Sequence, residues 1–157
     1  MSNYNEKLQK LWHDFEREND RLPSSPREVV SWAVKQRMLV PPAMDPIARL
    51  AEDMARALRE EYRTDSGGRR YRVNHAVRVT AGGVQSTLWA GIHWAPREHM
   101  ERAFAQRRAQ IVGDCAQLKT DVDVYNDKHR DEEPIQLVLD FAQDVAEIEA
   151  ADLDAVG

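Results

Sequence analysis

The sequence predicts an α+β protein, mainly helical. Three observations predict it. Apolar residues recur at helical spacing in several separate segments. One stretch in the middle alternates apolar and polar residues on either side of a glycine turn. A long helical segment then precedes an acidic, apolar-containing C-terminal element that reads as either strand or helix. The expected order is N-terminal helices, a β-hairpin, a long helix and that last element.

Leu8, Leu11, Trp12 and Phe15 stand at i, i+3, i+4 and i+7, so residues 4–18 read as an amphipathic helix. The loop NDRLPSSP follows. Ser25 then precedes Pro26 and stands three residues before Glu28, a capping box with proline at the first helical position. That helix is predicted over 26–38, with Val29, Val30, Trp32, Ala33 and Leu39 inward, ending before Pro41 and Pro42. Asp45-Pro46 repeats the cap-then-proline logic and starts a third helix running to about Tyr62. Ile47, Leu50, Ala51, Met54, Ala57, Leu58 and Tyr62 are its predicted buried face. Arg49, Arg56, Arg59 and Arg63 lie mostly off that stripe.

After the breaker TDSGG, the runs RYRVNHAVRVT and VQSTLWAGIHW flank an Ala81-Gly82-Gly83 turn. Alternation puts Tyr71, Val73, His75, Val77 and Val79 on one face, and Arg70, Arg72, Asn74, Arg78 and Thr80 on the other. Pairing Val79 with Val84 adds Ser86, Leu88, Ala90, Ile92 and Trp94 to the apolar face. Gln85, Thr87, Trp89 and His93 join the arginines. Pro96 opens a helix predicted over 97–126. Phe104, Ile111, Leu118 and Tyr125 recur every seven residues, with Cys115 and Val122 between them and Arg108 as the odd member. Such a seam wants a partner helix, in this chain or in a second copy. The predicted domains are 1–95 and 96–157.

The net charge of −5 conceals a partition. Residues 1–20 hold three basic and five acidic side chains; residues 21–110 hold sixteen and nine; residues 111–157 hold three and thirteen. A basic middle and an acidic tail form an asymmetry of the kind found in nucleic-acid binders. Arginines along one face neutralise phosphates and release counterions. The alternative is a solvated face, with Arg56 and Arg59 paired to Glu52 and Glu60. Arg69, Arg70, Arg72 and Arg78 have only Asp65 close by as an acid, which favours phosphate contact. Trp89, among Arg72, Asn74 and Gln85, is placed to stack a base or ribose, or to be covered by the N-terminal helix.

Other classes find less support. The one cysteine, Cys115, excludes an internal disulfide and a cysteine-built zinc site, and it reads as a small buried hydrophobe. No apolar run approaches membrane-spanning length and the N-terminus is polar, so an intracellular, cytoplasmic protein without a membrane partner is expected. His75 falls on the apolar hairpin face and reads as a core histidine, while His93 and His99 do not make a metal pair on one helix face. No phosphate-binding glycine loop or nucleophile elbow is present, and no cofactor is expected. An enzyme is not expected; a metal-dependent nuclease is the third-ranked class.

The helices at 26–38 and 45–62, followed by the basic hairpin with its glycine tip, resemble a winged-helix domain in element order and charge. The resemblance covers about half the chain and departs from the family in its long connection MLVPPAM. It implies double-stranded DNA as partner. Arg49, Arg56, Arg59 and Arg63 would then sit on the recognition helix, and Arg69, Arg70, Arg72 and Arg78 on the wing. Separately, QLVLDF at residues 136–141 matches the pattern Gln-Leu-x-Leu-x-Phe and resembles peptides that dock on the bacterial replication sliding clamp. Gln136, Leu137, Leu139 and Phe141 carry the match. Ile135, Leu137, Leu139 and Phe141 also read as an ordinary alternating strand. A helix through Ile135, Val138, Phe141, Val145 and Ile148, packed on the heptad seam, fits as well. The function expected first is a DNA-binding protein of transcription control, or of replication or maintenance of a bacterial or mobile element. The alternative is an interaction adaptor working through the acidic C-terminal segment.

Overall fold

In the computed structural model, residues 3–43 and 45–156 are described. Five helices and two small antiparallel sheets follow one another: α1 (Tyr4–Glu18), α2 (Pro26–Lys35), α3 (Pro46–Glu60), β1 (Tyr62–Thr64), β2 (Arg70–Arg72), β3 (Asn74–Ala81), β4 (Val84–Gly91), α4 (Arg97–Lys128) and α5 (Ala142–Val156). The predicted α+β, mainly helical class is the observed one. The chain divides into two compact units, with the division between Arg49 and Leu50, inside α3.

In the first unit, α1 begins at a capping box between Asn3 and Glu6. The anticipated box between Ser25 and Glu28 starts α2, with Pro26 at its first position. Leu11, Val29 and Ala33 are buried, and Phe15 meets Trp32 edge-on at 5.5 Å. Two details differ from the sequence reading. Val30 is exposed. The helix also stops at Lys35, not Met38, because Arg37 adopts φ 57° and the Met38 amide turns back onto the Ala33 carbonyl at 2.8 Å.

Asp45 caps α3 as expected, its carboxylate accepting from the Ile47 amide at 3.1 Å. The predicted buried stripe is not buried: Ile47, Leu50 and Met54 are exposed, and only Leu58 of the large aliphatic residues is half-buried. The period reports an amphipathic helix; it does not supply the surface that covers it.

In the second unit, the run predicted as one strand is two. Residues 70–72 pair with β1 in the register Tyr62 with Arg72, Arg63 with Tyr71 and Thr64 with Arg70. Residues 74–81 pair with β4. Val73 joins the two hairpins. Its amide donates to Glu61 at 3.1 Å, and its carbonyl accepts from Ile92 at 2.8 Å. The main hairpin closes on a two-residue Gly82-Gly83 loop with φ of 58° and 78°, so Ala81 already pairs with Val84. Only glycine takes both left-handed positions of this tight loop without strain. The register therefore differs by two residues from the predicted one, and Val79 faces Ser86. A shift of two preserves every side-chain face. Strand β4 ends at Gly91, so Ile92 and Trp94 lie in the turn that follows, and Trp94 is exposed.

Helix α4 packs on β3 through Ala103, which has 0% exposure, against a small core of Val73, His75 and Val77. His75 is buried and edge-on to Phe104 at 5.4 Å. Its Nε2 donates to the Arg72 carbonyl at 2.9 Å, and His99 Nε2 donates to the His75 carbonyl at 2.8 Å. Burial holds the His75 pKa below its ordinary value, with the charges of Arg107, Arg72 and His99 acting in the same direction against the Arg72 carbonyl. The core-histidine reading of His75 agrees with this geometry.

Candidate nucleic-acid interface

A cleft of about 350 Å³ opens on the polar face of the main hairpin. Its walls come from the hairpin strands, α3 and α4. Arg72 ends β2; Asn74, His75, Ala76 and Arg78 stand on β3 and Thr87 and Trp89 on β4; Arg59 comes from the end of α3; Gln106, Arg107 and Gln110 come from α4. The pleat accounts for the hairpin contribution, since Ala76 pairs with Trp89 and Arg78 with Thr87. No acidic side chain is among the lining residues.

Gln106 locks the third wall in place. Its Oε1 accepts from the Arg78 amide at 2.8 Å, and its Nε2 donates to the Arg78 carbonyl at 2.9 Å. One amide thus satisfies both groups of an outer-strand residue, as a neighbouring strand would. At the back of the cleft, Asn74 Nδ2 donates to the Leu58 carbonyl at 3.2 Å and to Glu61 at 2.8 Å, tying the end of α3 to β3. The Arg59 guanidinium then lies 5.4 Å from the centre of the Trp89 ring.

The nine residues expected to contact nucleic acid do not act as one group. Arg59, Arg72, Arg78 and Trp89 line the cleft. Arg56 pairs with Asp53 at 3.4 Å and Arg63 with Glu61 at 3.5 Å. Both pairs are exposed and worth little. Arg70 stacks on Tyr62 at 4.2 Å, and Arg72 Nε donates to the Tyr62 hydroxyl at 3.1 Å. Arg49 is exposed in the first unit. Arg69 is a loop residue. Its side chain meets Asp65 at 2.7 Å, and Asp65 also accepts from the Gly67 and Arg69 amides at 2.9 Å. These bonds, the Arg69 amide first, hold the Asp65 carboxyl below the usual carboxylate range.

Ala76 and the three α4 residues Gln106, Arg107 and Gln110 were missing from the sequence reading of the cleft; the last three share one feature. With Ala103 they stand at i, i+3, i+4 and i+7, the helical face that meets the hairpin. The apolar heptad beginning at Phe104 drew attention to a neighbouring face.

The expected C-terminal helix forms, but it starts later than the sequence reading placed it. Residues 133–141 are neither strand nor helix, and α5 begins only at Ala142. Asn126 pins the start of this segment: its Oδ1 accepts from the Ile135 amide at 2.9 Å and its Nδ2 donates to the Ile135 carbonyl at 3.0 Å. Asp140 accepts from the Ala142 amide at 3.1 Å at the far end. Between them, Gln136 is exposed, Leu137 is half-buried, and Leu139 and Phe141 are 39% and 41% exposed. Val145 and Ile148 of α5 are exposed, so this helix does not bury them on the α4 seam as expected. Along that seam Phe104, Ile111, Leu118 and Tyr125 are exposed, while Cys115 and Val122 are half-buried.

Among the described residues, no group of three or more His, Cys, Asp or Glu could hold a metal ion, and no helix is long and apolar enough to cross a membrane. No protein-family model matches the chain, and no curated protein or solved structure is significantly similar to it.

Proposed function

We propose that the chain binds DNA through the cleft between the main hairpin and α4. The observation that carries this reading is the convergence of Arg59, Arg72, Arg78 and Arg107 around Trp89 with no acid among the lining residues. Guanidinium groups contact backbone phosphates, and an indole offers a face for a base. A duplex keeps its base faces stacked inside, so the Trp89 contribution favours a strand with unpaired bases. Gln106, Gln110 and Asn74 add amides able to bond to base edges or sugar. In a titration of labelled single-stranded and duplex oligonucleotides at low salt, the single strand binds more tightly. Trp89→Ala weakens that binding by about 1–3 kcal/mol, the usual worth of one stacked base. Absence of binding to either form at low salt refutes the proposal.

A second reading concerns residues 136–141. What supports it is that the segment resembling a sliding-clamp peptide lies outside any helix or strand and exposes Leu139 and Phe141. Extended peptides use such alternate side chains as anchors. Capture of a bacterial sliding clamp by the full chain, lost in Leu139→Ala/Phe141→Ala with unchanged circular dichroism, supports docking. Equal capture by that variant excludes it.

A further inference from the structure

The α4 seam starts beside the cleft, where Phe104 packs on His75, and runs on past it. An α-helix advances about 100° per residue, so Phe104, Ile111, Leu118 and Tyr125 lie roughly 40–100° round the axis from Ala103, the residue buried against β3. Ile111 is 55% exposed and Leu118 46%, and both lie beyond the part of α4 that lines the cleft. With Cys115 and Val122 at the alternating positions, and Arg108 as the odd member, these residues take the spacing of a coiled-coil seam.

Charge identifies the occupant. In residues 97–112, Arg97 pairs with Glu101 and Arg102 with Glu98, which leaves Arg107 and Arg108 and a net charge of +2. In residues 113–128, Lys119 pairs with Asp123, and Asp114, Asp121 and Asp127 against Lys128 leave −2. The helix therefore carries opposite charge on its two halves. A second copy running antiparallel lays basic half on acidic half twice over. A parallel copy lays like on like. We infer that this chain forms a homodimer through an antiparallel pairing of α4 along Phe104, Ile111, Leu118 and Tyr125. The inference does not depend on what the cleft binds.

Sedimentation equilibrium of the full chain tests it. The expected mass is twice the 18.0 kDa of one chain, with dissociation promoted by salt. Ile111→Glu/Leu118→Glu, both at exposed positions, gives a monomer with unchanged helicity. The sense of pairing is read by mixing two variants, each with Cys115→Ser: Ile111→Cys and Leu118→Cys. Antiparallel chains cross-link between the two variants, whereas parallel chains cross-link within each. A monomer at every concentration of the unaltered protein overturns the inference, as does a dimer untouched by the double glutamate variant. Cross-links confined to like variants overturn the antiparallel sense.

Discussion

Gln106→Met removes the lock between α4 and β3 while keeping a side chain of similar length. Two hydrogen bonds are lost, at 2.8 and 2.9 Å, and the Arg78 amide and carbonyl lose their protein partner. A neutral hydrogen bond contributes about 0.5–1.5 kcal/mol net, so the pair contributes about 1–3 kcal/mol. The site is on the rim of an open cleft and Gln106 is only half-buried, so water re-solvates part of the freed backbone. The expected loss is then in the lower half of that range, about 1–2 kcal/mol. For a chain of this length that corresponds to a fall of about 2–8 °C in Tm. Urea unfolding followed by circular dichroism measures it at equilibrium. Gln106→Glu keeps the acceptor for the Arg78 amide but sets a carboxylate against the Arg78 carbonyl, so it destabilises at least as much. A Gln106→Met midpoint indistinguishable from that of the unaltered chain refutes the reasoning, because the helix would then be held by Ala103, its apolar neighbours and the His99 bond to the His75 carbonyl.

Three further outcomes are expected. The folded state holds the pKa of His75 below 6.5, so the unfolded chain takes up its proton first as the pH falls. The stability His75 contributes is present above pH ~6.5 and declines below it, down to the folded-state pKa; urea midpoints of His75→Gln lose this part of the pH dependence. Ala103→Leu inserts a side chain where none fits, at a residue with 0% exposure, and costs about 1–3 kcal/mol of stability in the same urea assay. Asn126→Ala frees Ile135, so hydrogen exchange at the Ile135 amide accelerates while that of the α4 amides beside β3 is unchanged.

The parts of the fold written by local chemistry were legible in the residues. Ser25-Pro26-Glu28 and Asp45-Pro46 marked real helix starts, and alternation sorted Val77 and His75 from Arg78 and Trp89 correctly. What depended on a distant partner was less legible. The switch at Val73 arises because β2 has a partner, β1, in residues that read as a helix end and a loop breaker. The stripe of Ile47, Leu50 and Met54 described a helix without describing its cover. The cleft was half legible. Its hairpin wall follows from the pleat, but its helical wall depends on which face of α4 meets β3. That choice is made by the small residue Ala103 and the amide of Gln106, not by the larger apolar stripe. Residues 133–141 were opaque because Asn126 replaces a strand partner with a single side chain.

On the proposed function, arginines of the hairpin strands and α4 act together on nucleic-acid phosphates, and the salt dependence of binding is the sharpest test of that action. Each phosphate neutralised on a single strand contributes about −0.7 to the slope of log affinity against log salt. Anisotropy titrations of a labelled single strand across salt concentrations therefore give a slope near −2 if Arg72, Arg78 and Arg107 each hold a phosphate, at about −0.7 apiece. Arg78→Ala/Arg107→Ala binds more weakly and makes the slope shallower by about 1.4, two phosphates' worth. An unchanged slope and affinity in that double variant contradict the account.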